Sequence, residues 1–112
     1  MNLQGHSPSS QPLRQAKRFP LTMPDLHRFA AFLVVAEELH FGRAAKLLMM
    51  SPSSLSRLVS CFEDDLGIKV FERNRHAVHL TQAGQRLIID TQGLLDHAND
   101  VLRRVQGLDI IE

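Results

Sequence analysis

Phe41-Gly42-Arg43-Ala44-Ala45-Lys46-Leu47-Leu48-Met49-Met50-Ser51-Pro52-Ser53-Ser54-Leu55-Ser56-Arg57-Leu58-Val59-Ser60 is the stretch on which the fold turns. It has the layout of a short helix, a tight turn and a second helix. Phe41 to Leu48 supplies the first of these helices. Ala44, Ala45 and Leu48 are its packing residues, and the two alanines are small enough to let another helix come close. Met49 and Met50 form the turn. Ser51-Pro52 then starts the second helix. The serine hydroxyl accepts from a free backbone amide, and proline suits the first helical turn because it lacks that donor. Leu55, Val59, Phe62 and Leu66 follow at spacings of four, three and four. They make one apolar stripe, which Gly67 ends.

The other side of this second helix carries its chemistry. At about 100° per residue, Ser53, Arg57, Ser60 and Asp64 face away from the stripe, with Ser54 and Ser56 on its flanks. The N-terminal half is small, hydroxylic and basic; Glu63, Asp64 and Asp65 sit at the far end. A helix N-terminus offers free amides and a partial positive charge, both suited to phosphate. Serines let the backbone approach closely. Arg57 has the planar fork that pairs with guanine O6 and N7 in a major groove. These features predict entry into DNA by the N-terminal end of the helix. Arg43 and Lys46 on the preceding helix are expected phosphate contacts, which set register without reading sequence. A second reading stands beside this one: the same fold also serves as a protein-interaction module, with the serines as caps and Arg57 solvated.

Outward from this core, the pattern toward the N-terminus predicts a helix after Pro24, capped by Asp25. Leu26, Phe29, Ala30, Leu33 and Ala36 recur at helical spacing as its expected core face. Residues 1–22 are rich in Ser, Pro and Gln and read as a flexible arm, with Arg14, Lys17 and Arg18 and no acid. Toward the C-terminus, Val70-Phe71-Glu72-Arg73 and Val78-His79-Leu80 read as two short strands. Asn74-Arg75-His76-Ala77 is the turn of this hairpin, a wing whose Arg75 and His76 can lie against DNA backbone or minor groove. The expected fold is therefore mainly α: a winged helix-turn-helix over residues 23–80, with three helices and a β-hairpin.

Thr81 can cap a last helix, expected from Gln82 to about Arg104 within a linker of residues 81–107. Leu87, Leu94, Ala98, Val101, Val105 and Leu108 fall near heptad spacing, with Thr91 the polar interruption and Ile88, Leu95 and Leu102 widening the stripe. Such a helix is about 35 Å long at 1.5 Å per residue. A small domain cannot cover so long a seam, but a second copy of the same helix can. Leu87, Leu94, Leu95, Ala98, Val101 and Leu102 are thus the expected dimerisation residues.

Composition narrows the function classes. The chain has 112 residues, 13 Lys+Arg, 12 Asp+Glu and a formal charge of +1. A nearly neutral sum argues against a nucleic-acid binder, but its distribution argues for one. Between Phe41 and Ser60 the charges are Arg43, Lys46 and Arg57, with no acid. Such segregation leaves a basic surface. No apolar run is long enough to span a membrane. The single cysteine, Cys61, cannot form an internal disulfide, which fits a reducing cytoplasm. It is expected as a buried or half-buried structural thiol. No metal site is expected: His76 and His79 lack further ligands, and zinc takes three or four. His27, His40 and His97 are scattered, as surface or capping residues. With no phosphate-cradling glycine loop and no triad pattern, neither enzymatic activity nor a cofactor is expected.

The residues quoted so far, in combination, resemble the LysR-type transcriptional regulator family. The likeness begins at Leu26-His27-Arg28-Phe29 and runs through Phe41-Gly42-Arg43-Ala44-Ala45-Lys46-Leu47-Leu48 and Ser51-Pro52-Ser53-Ser54-Leu55-Ser56-Arg57. It continues through Glu63-Asp64-Asp65-Leu66-Gly67, Val70-Phe71-Glu72-Arg73 and Leu80-Thr81-Gln82-Ala83-Gly84. The resemblance implies dimerisation through antiparallel linker helices and binding to an interrupted palindrome in a promoter, with a tetramer in the full-length protein. It places DNA contacts at Pro52, Ser53, Ser54, Ser56 and Arg57 and, in the wing, at Arg75 and His76. Family members continue into an effector-binding domain with two α/β lobes. The chain ends at Glu112, so that domain, and the small-molecule effector it would take, are expected outside it. Phe62 departs from the family's usual leucine, and His76 from its common arginine, which lowers the charge of the wing. Within the family, His40-Phe41-Gly42-Arg43 and Ser51 to Arg57 are most similar to the IlvY subgroup, activators of branched-chain amino-acid biosynthesis.

Overall fold

Asp25 opens the first helix by accepting the Arg28 amide at 2.9 Å on its side chain, the expected N-cap. The computed structural model describes residues 23–110, and the arm expected over residues 1–22 lies outside the described residues. In chain order the elements are α1 (Leu26–Glu38), α2 (Phe41–Leu47), α3 (Pro52–Leu66), β1 (Phe71–Arg73), β2 (Val78–Leu80) and α4 (Gln82–Ile110). The order and type of every element match the sequence reading.

Helix α1 is the hub, packing against α2, α3 and α4. Its buried residues are Ala31, Phe32, Val35 and Ala36. This corrects the expected core face: Ala36 is shared, Phe29, Ala30 and Leu33 are only half-buried, and Leu26 is exposed. From Phe29 to Ala36 every residue is apolar, so periodicity alone left the rotation of the helix open. Contact with three other helices then covers most of its circumference. On α3 the stripe holds, with Leu55, Val59 and Phe62 buried and Leu66 packed at the margin. Phe62 sits between Phe29, edge-on with ring centroids 5.2 Å apart, and Phe32, stacked at 5.7 Å. Phe32 reaches Phe71 at 5.5 Å, and Phe71 meets Phe41 at 6.3 Å. One aromatic chain thus links α1, α2, α3 and the wing, in the tilted and edge-on contacts that ring quadrupoles favour.

The hairpin is antiparallel, pairing Phe71 with Leu80, Glu72 with His79 and Arg73 with Val78. The ladder starts one residue later than the sequence suggested. Val70 is buried, but its amide donates to the Glu63 carboxylate at 2.9 Å and its carbonyl accepts from Thr81 at 3.0 Å. Glu63 was read as one of the acids at the far end of the helix. It is instead 2% exposed and also accepts from the Phe71 amide at 3.1 Å. Lys69 Nζ lies 3.6 Å and Arg73 Nη2 3.9 Å from its other oxygen. A buried carboxylate is tolerated when its lone pairs are filled in this way.

Thr81 caps α4 as expected, accepting from the Gly84 amide at 3.0 Å while its hydroxyl donates to the Lys69 carbonyl at 2.8 Å. Gly84 is where α4 passes the backbone just before β1: a Cβ there would lie 2.2 Å from the Val70 carbonyl oxygen. The helix continues to Ile110, past the expected end near Arg104, and its 29 residues span about 43 Å. Its first turns pack on the domain, with Leu87 and Ile88 against the core and Thr91 buried. Ile89, Leu94, Val101, Leu102 and Val105 are exposed.

Candidate nucleic-acid interface

The turns before α2 and before α3 each hold one residue in an unusual backbone conformation. Leu39, which ends α1, has φ 50°, and Met49, between α2 and α3, has φ 58°. Both are left-handed conformations that disfavour side chains bearing a Cβ. His40 caps α2, its Nδ1 accepting the Arg43 amide at 2.9 Å. That bond makes Nδ1 the acceptor and leaves Nε2 protonated in the neutral ring. Ser51 caps α3 as expected, accepting the Ser54 amide at 3.1 Å and donating to Ser54 Oγ at 2.8 Å.

Pro52, Ser53 and Arg57 are exposed on the outer side of the first two turns of α3, and Ser54 and Ser56 are half-buried on its flanks. No acidic residue lies in the first turn. Arg57 makes no ion pair among the described residues and projects into solvent. Lys46 is exposed in the last turn of α2 and, with His40, Arg43 and Pro52, lines an open depression of about 350 Å³ beside the start of α3. Arg75 and His76 are exposed at the tip of the wing. There Asn74 Oδ1 accepts the His76 and Ala77 amides at 2.8 and 3.0 Å and holds the turn.

Beyond the local contacts of Ser51 with Ser53 and Ser54, the expected contact residues Arg43 and Ser56 are bonded to other elements. Arg43 donates from Nε to Glu38 Oε1 at 3.2 Å and from Nη2 to the Glu38 carbonyl at 3.0 Å. It thereby fills a carbonyl left free at the end of α1. Ser56 Oγ accepts from Arg73 Nη1 at 2.9 Å. Arg73 itself was missed in the sequence, where it read as an ordinary strand residue. Its Nη2 donates to Ser60 Oγ at 3.0 Å, and its guanidinium carbon stands 4.6 Å from the centre of the Phe41 ring. It ties α2, α3 and β1 together. The alternation of burial in a three-residue strand is too short a signal to have revealed this.

Cys61 is exposed, correcting the expectation of a buried or half-buried thiol. It lies between Ser60 and buried Phe62, and one step on a helix is enough to move a side chain from core to solvent. The expected dimerisation residues divide. Leu87 is packed against its own domain; Leu95 and Ala98 are half-buried; Leu94, Val101 and Leu102 are exposed. No group of three potential metal ligands occurs among the described residues, and no helix among them is long and apolar enough to cross a membrane.

This geometry has close relatives. The HTH-type transcriptional regulator XapR of Escherichia coli (strain K12) is 46% identical over 84 residues, covering 75% of this chain and 29% of its own length. The HTH-type transcriptional activator IlvY of Salmonella typhimurium is 44% identical over 71 residues, 63% of this chain and 24% of its own. The expected IlvY likeness is therefore present, with XapR beside it at the same level. Among solved structures, the CbnR_DBD–DNA complex superposes with a TM-score of 0.73 at 28% identity, covering 77% of this chain and 99% of that one. The chain spans less than a third of the length of these curated relatives. The family described as "Bacterial regulatory helix-turn-helix protein, lysR family" matches residues 26–85. That match takes in α1, α2, α3, the wing and the start of α4, more than half of the sequence, and the protein belongs to the lysR family of bacterial regulatory helix-turn-helix proteins.

Proposed function

We propose that the chain is the DNA-reading part of a transcription regulator, which lays the N-terminal half of α3 in a major groove and its wing against the neighbouring backbone. The observation that carries this reading is the outer side of α3: Pro52, Ser53 and Arg57 stand exposed at a capped helix start with no acid in the first turn. Arg57, unpaired and forked, is the base reader. Ser53, Ser54 and Ser56 approach backbone and base edges, Lys46 and Arg43 hold phosphates, and Arg75 and His76 reach from the wing. The likeness to a DNA complex of another family member supports the same assignment.

A second copy completes the unit. The exposed Leu94, Val101 and Leu102, with Leu95 and Ala98 beside them, form the seam of a dimer through α4. A two-fold dimer matches an interrupted palindrome. In the whole protein, a further effector-binding domain and a tetrameric assembly would set when the site is occupied.

The test is selection from random duplexes at two salt concentrations. Enrichment of an interrupted palindrome that persists at the higher salt is expected. Arg57→Ala should then lower affinity for that site about tenfold or more and relax base preference at one position of each half-site. Sequence-blind binding that vanishes with salt, or an unchanged affinity for Arg57→Ala, would refute the base-reading role and favour a protein-interaction module. Charged replacements at Leu94 and Leu95 should yield a monomer in sedimentation; an unchanged dimer would place the interface elsewhere.

A further inference from the structure

We infer that Arg73 is a positioning residue that commits the Ser56 hydroxyl to donating a hydrogen bond, so that at this point α3 recognises acceptors on DNA. The inference rests on the DNA-binding reading above. Its chemistry begins with what arginine lacks. A guanidinium has five N–H donors and no acceptor, so any hydroxyl bonded to it must accept. Arg73 Nη1 is 2.9 Å from Ser56 Oγ, and Nη2 is 3.0 Å from Ser60 Oγ. Neither serine hydroxyl makes another hydrogen bond among the described residues. In particular, neither donates to the carbonyl one turn back, the usual outlet for a helical serine. Each O–H proton is therefore left for something outside the domain.

The placement gives that proton a direction. Ser56 lies on the flank of α3 between the buried stripe and the exposed side that carries Ser53 and Arg57. Arg73 occupies the wing side of that flank, with its side chain 25% exposed. Its position is fixed from three directions: the two serines, the Glu63 oxygen at 3.9 Å and the Phe41 ring at 4.6 Å. A fork held in this way cannot turn to relinquish Ser56. The hydroxyl must aim its proton away from Arg73, toward the groove that α3 enters. It will donate to a phosphate oxygen or to an acceptor on a base edge, such as purine N7. One lone pair of Ser56 is taken by Arg73, and the proton is the group that Arg73 leaves without a partner.

The experiment is a double-mutant cycle between Ser56 and Arg73 in the whole chain. Affinity is measured on the selected palindrome and on a random duplex, and folding is followed by thermal melting. With Arg73 present, Ser56→Ala should weaken binding about tenfold, the value of one hydrogen bond to a charged or strongly accepting group. With Arg73→Lys, which keeps the charge but cannot bridge two hydroxyls, the same Ser56→Ala change should cost less than about twofold. A loss shared by both duplexes assigns the acceptor to phosphate; a loss confined to the palindrome assigns it to a base. If Ser56→Ala costs the same in both backgrounds while the native chain still selects its palindrome, Arg73 is purely structural and the inference falls alone. If the native chain selects nothing, the inference falls together with the DNA-binding reading. A lower melting temperature for Arg73→Lys moves all affinities together and leaves the cycle intact. Should that variant fail to fold, Arg73→Gln takes its place: its amide oxygen can itself accept from Ser56, so Ser56→Ala should again cost less than about twofold.

Discussion

Glu63→Ala should be among the most damaging single changes in the domain, although Glu63 lies on α3, the helix proposed above to enter DNA. One carboxylate oxygen accepts both the Val70 amide at 2.9 Å and the Phe71 amide at 3.1 Å. Both of those residues are themselves buried, so water cannot easily replace the lost acceptor. Each orphaned buried amide costs about 1–3 kcal/mol, and the two together about 4 kcal/mol. Removal of one side of a buried charged network falls in the same range, about 3–5 kcal/mol. Glu63→Gln isolates the hydrogen bonds from the charge. A glutamine carbonyl oxygen can take both amides, but its amino group then faces Lys69 and Arg73 in place of the oxygen they now approach. The expected cost is smaller, about 1–2 kcal/mol. Urea unfolding followed by far-ultraviolet circular dichroism, with a common slope for the three proteins, measures both differences. An alanine variant within about 1 kcal/mol of the native protein would show that the Val70 and Phe71 amides find other partners. A glutamine variant as unstable as alanine would show that charge, not backbone satisfaction, is what Glu63 contributes.

The remaining predictions concern packing and charge. Gly84→Ala places a methyl group 2.2 Å from the Val70 carbonyl oxygen, so α4 must move away from the Val70 backbone, at a cost of about 1–3 kcal/mol or more in thermal or urea unfolding. Native stability in that variant would mean the crossing is looser than described. Thr91 is buried and its hydroxyl has no hydrogen-bond partner among the described residues, so Thr91→Val should raise the melting temperature, with a gain of up to about 1 kcal/mol. A lower melting temperature would reveal a partner for the hydroxyl. For DNA binding, Lys46→Ala should reduce the slope of log affinity against log salt by about 0.9, one phosphate's worth of released counterion. Arg43→Ala should reduce it by less, because Glu38 already neutralises Arg43 in the free protein; equal slopes would mean that this ion pair opens on DNA.

The helix-turn-helix was legible in the sequence because its signals are local. Ser51-Pro52 and Gly67 mark the two ends of α3 by capping chemistry, and a stripe at four, three and four has one helical solution. Helix α1 was legible as a helix but not in its rotation, since an unbroken apolar run from Phe29 to Ala36 offers several faces and the neighbours choose among them. The exposed side of α3 followed from that helix alone: once Leu55 and Val59 are inside, Ser53 and Arg57 must be outside. What could not be read was every bond spanning distant parts of the chain. Arg73 to Ser56 covers 17 residues, and Arg28 to Asp65, at 2.9 Å, covers 37. Charge type at those positions says that a partner is wanted, but not which one the fold will bring.

These long-range bonds also explain how a chain with a formal charge of +1 can present a basic face. Its acids are not simply elsewhere; several are consumed. Glu63 is buried on two amides, Asp65 is held by Arg28, and Glu38 by Arg43. Exposed Asp64 stands toward the C-terminal end of α3, away from the capped start, and Asp90 and Asp96 are exposed along α4. Against this, Arg57, Lys46 and Arg75 are exposed and make no ion pair among the described residues. Folding therefore sorts the charges, leaving Arg57 unopposed on α3 and Lys46 beside its start. Net charge averages over that sorting. Phosphate attraction responds to the local field within about a Debye length, roughly 8–10 Å at ordinary salt. Beside the start of α3 stand Lys46, Ser53 and Arg57, while of the carboxylates on α1 and α3 Glu63 faces inward and Glu38 and Asp65 are paired.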